Sequence, residues 1–198
     1  MTQPRINARL EVERIDRIHN DLAGAAHHLK TRIDKALAPG GERDGVGLDI
    51  MAGITMLAFT FEAHLNFVGA LRVEDWNERA SGKDKRQAVW KALGLAWDSA
   101  QRPASTLLQL IKARDMMAHG KPVEVREEWV AQGTDGELQV LLRNYQTEFD
   151  QLTTPAFFAL AYEDVEAVWR TFLEAGKISV IDTFDRGMSG ITFLSHAD

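Results

Sequence analysis

The distribution of apolar positions resolves the chain into helical stretches of differing character. Between residues 5 and 38, Ile15, Ile18, Leu22, Ala25, Leu29, Ile33 and Leu37 recur three and four residues apart among charged neighbours. That period predicts one long amphipathic helix, ending before the breaker cluster Pro39-Gly40-Gly41. Residues 48–71 are almost continuously apolar, including the uncharged run 50–61, as expected of a helix buried on most of its surface. A membrane span needs about 20 largely apolar residues. Asp49, Glu62, His64 and Asn66 interrupt this stretch, which is therefore read as a soluble core helix. Val89, Trp90, Leu93 and Leu95 predict a third helix over 83–97, and Pro103 opens a fourth that runs to His119.

Beyond Pro122 the pattern changes. Residues 123–130 and 137–142 read as strands flanking 132–136, whose Asp135-Gly136 is a turn signal, so a β-hairpin is expected there. Phe158, Val165, Val168, Trp169 and Phe172 restore a helical period over 155–175, and 178–194 is mildly apolar without a clear period. The reading is one mainly α domain over 1–198: a helical core over 1–121, a small β-hairpin inserted over 122–145, a C-terminal helix over 155–175 and a tail over 176–198. It amounts to a bundle of four to five helices.

Composition narrows the chemistry. The 198 residues, 45% hydrophobic, suffice for one core. With no cysteine, disulfides and thiolate chemistry are excluded. The polar segment 1–10, with no apolar run behind it, does not read as a secretory leader, so a cytoplasmic protein is expected. A net charge of -6 argues against a broad phosphate-binding surface while allowing a local one. Lys83, Lys85, Arg86 and Lys91, and Lys112, Arg114, Lys121 and Arg126, form basic clusters that ordinary solvated helix faces also explain.

The densest chemical signal is Arg114-Asp115-Met116-Met117-Ala118-His119-Gly120, at the end of the fourth helix. A planar guanidinium can hold an anionic phosphorane, and an imidazole can move protons near neutral pH. The spacing alone is weak, since Arg14 and His19 repeat it inside the first predicted helix. The later copy stands out by its setting: an apolar approach, then Gly120 where a left-handed helix cap falls, then Pro122. Residues five apart on a regular helix project about 140° apart. Either the helix ends before His119 or two chains combine. Glu62 and Asn66, one turn apart on the core helix, are candidate partners for Arg114. A capped helix end, with Arg114 paired to Glu62, accounts for the same residues without catalysis. No metal-ligand spacing, phosphate-binding glycine loop or nucleophile elbow is present, so neither metal nor cofactor is expected.

Residues 111–120 resemble the signature of the HEPN superfamily (higher eukaryotes and prokaryotes nucleotide-binding), in which Arg, a polar residue, three further residues and His close a core helix. Asp115 stands at the polar position, and Phe61-Glu62-Ala63-His64-Leu65-Asn66 resembles the earlier core helix. The likeness covers about residues 48–122. It implies a helical, often dimeric protein and a metal-independent endoribonuclease with Arg114, His119 and Asp115 catalytic. It further implies Glu62 and Asn66 in support, Lys112 and Lys121 contacting RNA such as tRNA or mRNA, and a role as a toxin or defence protein with an antitoxin partner. Some members only bind RNA, nucleotide or protein. Lys121 stands where a subgroup partnered with nucleotidyltransferase antitoxins carries Tyr, which argues against that subgroup.

Overall fold

The computed structural model describes residues 5–120, 122 and 124–196. The predicted positions Lys121 and Val123 lie outside them. The described residues are mainly helical, with α1 (Ile18–Leu37), α2 (Val46–Arg72), α3 (Gly82–Ala92), α4 (Ala104–His119), α5 (Asp135–Arg143), α6 (Glu148–Leu152) and α7 (Pro155–Ala175). A short 3-10 turn, Val180–Thr183, follows. One two-stranded antiparallel sheet joins β1 (Ile6–Ile15) to β2 (Arg186–His196).

The core is organised around α2, which packs against α1, α3, α4 and α7. Ile54, Leu57, Phe61, Leu65 and Val68 are buried along it, against Ile33 of α1, Val89 and Trp90 of α3, Leu107 and Leu110 of α4, and Phe158 and Phe172 of α7. Close approach is built in at two glycines. A Cβ at Gly53 would stand 2.6 Å from the Phe158 ring, and one at Gly69 2.5 Å from Trp76. By length and composition α2 could also cross a membrane, and only 39% of its most apolar 18 residues are buried in this chain. Ala52, Phe59 and Ala70 lie exposed along one side of it.

Four expectations are corrected. The first predicted helix is a strand followed by a helix. Ile6, Ala8, Leu10 and Val12 alternate with Asn7, Arg9, Glu11 and Glu13, a period of two that pairs with the tail, while the helical period starts only at Ile18. The hairpin expected over 122–145 is absent among the described residues. Residues 124–133 carry no regular structure, and Asp135 to Arg143 form α5, because Thr134 and Glu137 make a reciprocal capping box. Thr134 N–H donates to Glu137 Oε2 at 2.8 Å, while Glu137 N–H donates back to Thr134 Oγ1. A second such box, Thr147 with Asp150, starts α6, so the described residues form seven α-helices rather than four or five. The third helix also stops at Ala92, short of Trp97, where Gly94 takes the left-handed backbone (φ +66°).

Two buried histidines join α1 to α2 and α7. His64 stacks on Trp169, ring centroids 4.0 Å apart and 11° between planes, and His19 sits 5.9 Å from His64. Burial and then the Arg17 cation lower His19 to about 4, with Asp185 opposing; burial and then His19 lower His64 to about 3. Both are thus neutral in the fold at pH values where the unfolded chain, with imidazole near 6.5, takes up protons. Their contribution to stability is complete above about pH 6.5 and is lost as pH falls towards 4. The melting temperature should decline across that window, and His64→Phe should flatten the decline; a wild-type midpoint constant from about pH 7 to 4.5 would overturn this. Gly53→Ala should destabilise the chain by about 1–3 kcal/mol in denaturant titrations, since the Phe158 ring must be displaced.

Candidate functional site

Arg114 lies on the third turn of α4 and faces α2. Its side chain is 26% exposed, with the guanidinium carbon 5.8 Å from the centroid of the Phe59 ring. Nη2 stands 3.8 Å from Glu62 Oε2, and Nε stands 3.2 Å from Asp115 Oδ1. Neither contact is a hydrogen bond: the first is too long, and Nε is shielded from solvent with no accepting partner among the described residues. The guanidinium is therefore balanced in charge while its donor fork stays uncommitted.

Glu62 has a second partner. Lys85 of α3, 4% exposed, donates from Nζ to Glu62 Oε1 at 3.4 Å. Lys85 was expected on a solvated basic face. It is instead buried one turn before Val89, on the side of α3 that meets α2, and Glu62 supplies its counter-charge. Lys85, Glu62, Arg114 and Asp115 thus form a chain of two cations and two anions across α3, α2 and α4.

The other expected site residues lie around this chain. Asn66 is one helical turn beyond Glu62, and its Oδ1 is buried with no hydrogen-bond partner among the described residues. His119 is the exposed last residue of α4, where Gly120 takes the left-handed conformation (φ +53°) and its N–H bonds Met116 O at 3.1 Å. The helix therefore does not end before His119, and the angular separation of about 140° from Arg114 stands. No hydrogen bond or ion pair joins His119 or Asn66 to Arg114 among the described residues. Lys112, half-exposed, pairs with Glu148 of α6. The Arg14 and His19 copy of the spacing sits at a strand-to-helix junction, not within a helix, and its His19 is buried.

Two features had no sequence signal. Phe59 reads as one more apolar residue of α2, although its ring faces Arg114. A cleft of about 650 Å³ opens beside the end of α4, lined by Met51, Met116, Met117, Tyr145, Glu127 and Phe149 among others. Neither Arg114 nor His119 lines it. It draws on 124–133, whose irregular path no sequence pattern announces. Comparison with protein-family models, curated proteins and solved structures finds no match to this chain.

The charge chain separates the stability of the site from its chemistry. Removing Arg114 leaves Glu62 still paired with Lys85, so Arg114→Ala should change stability by less than about 1 kcal/mol. Glu62→Ala strands a buried ammonium and should cost more, about 1–3 kcal/mol given that the Glu62 side chain is 40% exposed. Thermal melts of the two variants check the order; an Arg114→Ala loss as large as that of Glu62→Ala would show that Arg114 holds the helices together.

Proposed function

We propose that this chain is a metal-independent endoribonuclease of HEPN type, cutting RNA in a cleft shared by two copies. The observation that carries the reading is the Arg114 guanidinium, held in place by Glu62, Asp115 and Phe59 yet donating no hydrogen bond among the described residues. A planar fork with unused donors suits a phosphate that gains charge on the way to a phosphorane. Because His119 leaves the same helix in another direction, the pairing of one copy's Arg114 with the His119 of a second copy brings cation and imidazole to one phosphate. The exposed residues of α2 beside Arg114 provide surface for that second copy.

In the proposed reaction the RNA 2′-oxygen attacks the adjacent phosphorus and the bond to the 5′-oxygen breaks, leaving a 2′,3′-cyclic phosphate and a 5′-hydroxyl. His119 takes the 2′ proton or supplies the one the leaving oxygen needs, and Arg114 stabilises the phosphorane. Asp115 and Glu62 orient Arg114, Asn66 offers its unpaired acceptor, and Lys112 and Lys121 hold flanking phosphates of a tRNA or mRNA. A cytoplasmic toxin or defence protein, neutralised by an antitoxin, is the setting this reading carries.

A second reading has its own support: Lys85, Glu62, Arg114 and Asp115 already balance one another, as they would in a helical module that binds RNA, nucleotide or protein without cutting. Incubation of the purified chain with total RNA and mixed tRNA in EDTA separates the two. The proposal expects discrete fragments with cyclic-phosphate ends, no cleavage of DNA, and at least about a 100-fold loss for Arg114→Ala and His119→Ala. Bound but intact RNA with wild type and both variants establishes the module, and loss of cleavage on chelation sinks the mechanism.

A further inference from the structure

The β1–β2 ribbon presents an amphipathic surface that is largely exposed among the described residues. Every residue of β1 except Ala8 is exposed, and the register sets Leu10 opposite Ile191, Arg9 opposite Thr192 and Glu11 opposite Gly190. Alternation therefore puts Ile6, Ala8, Leu10, Val12 and Ile191 on one face, with Arg14 at its end, and Asn7, Arg9, Glu11 and Glu13 on the other, with Ile15 at its end. On the apolar face Ile6 is 48% exposed, Leu10 70%, Val12 74% and Ile191 74%. A lone two-stranded ribbon is marginal in water, and its unpaired edges are templates for a further strand.

The charges on β1 select the occupant. Set antiparallel against its own copy about a twofold axis through Leu10, the strand places Leu10 opposite Leu10, Val12 opposite Ala8, and Arg9 opposite Glu11 twice. Moving the pairing by one residue puts Leu10 against a charged residue. Moving the axis to Arg9 sets Arg9 against Arg9; moving it to Glu11 keeps two opposite-charge pairs, Arg9 with Glu13, but adds Glu11 against Glu11, so the axis at Leu10 alone has the opposite pairs without a like pair. Within its own ladder Arg9 and Glu11 face only Thr192 and Gly190, so neither finds an opposite charge there. The β2 edge, interrupted by Gly187 and Gly190, offers no comparable pattern. We propose that β1 is a self-association strand, whose edge joins that of a second copy about Leu10 to make one four-stranded sheet with a shared apolar face. This goes beyond the RNA reading and rests on no step of it.

The absence of cysteine makes the register measurable. Directly opposed residues on antiparallel strands stand about 4.5–5.5 Å apart at Cα, within disulfide reach. Full-length Leu10→Cys should therefore convert to a covalent dimer under mild oxidation, whereas two Val12→Cys positions would lie roughly 13 Å apart along the strands and stay unlinked. Light scattering on unmodified chain should give the dimer mass, or a larger assembly of dimers where α4 pairs as well. Arg9→Glu should weaken association about tenfold at low salt, and adding Glu11→Arg should restore it. A monomer at all concentrations overturns the proposal. So does a dimer in which Leu10→Cys does not link or Val12→Cys links equally; that result would leave the α4 pairing of the ribonuclease reading standing, and the RNA assay tests that reading separately.

Discussion

The constraint on which the molecule depends is the need to cover α2. A helix of 27 residues that is apolar on nearly every side cannot rest on one neighbour, and α1, α3, α4 and α7 are arranged as its walls. The glycines at 53 and 69 let Phe158 and Trp76 come within contact of its backbone, so α2 is gripped by rings as well as by aliphatic side chains. The remaining elements attach to this assembly: α6 bridges α4 and α7, and the ribbon is tied down at its base, where Asn20 donates to Thr183 O and Arg17 N–H to Asp185.

Polar residues on α2 take their meaning from the same packing. Glu62 sits where α3 and α4 both approach, so one carboxylate serves Lys85 on one side and Arg114 on the other. His64, on another side of the helix, is enclosed by Trp169 and His19 and is held neutral by that enclosure. A core helix thus carries two polar positions of opposite kind: an ion-pair junction open to solvent at one edge, and an imidazole sealed in an aromatic nest. Among the described residues Arg114 donates no hydrogen bond at the first, and His119 leaves α4 in another direction.

Much of the helical frame was legible in the chain. The apolar run of α2, the Pro155 start and the 3.6-residue period of α7, and the approach of α4 to Gly120 survive in the structure because each burial pattern is set by local sequence. Of the two partners the sequence offers Arg114, Glu62 stands near it and Asn66 does not bond it among the described residues. The hairpin failed because Asp135-Gly136 reads equally as a turn and as the first turn of a helix. The capping oxygen of Thr134 and the reach of Glu137 decided for the helix.

The sequence by itself determined which long apolar segments form the helical core, and that α4 ends at His119 before a left-handed Gly120. Only the tertiary structure decided that residues 6–15 are a strand: the period of two over 6–13 is short and merges into the helical period that follows, and the partner strand that selects it lies about 180 residues away. Packing likewise decided that Lys85 is buried while Lys112 is half-exposed, because a lysine's exposure depends on which neighbour covers it. The continuous α4 helix carries Arg114 and His119 in different directions, a geometry fixed by backbone hydrogen bonds rather than by the identity of either side chain.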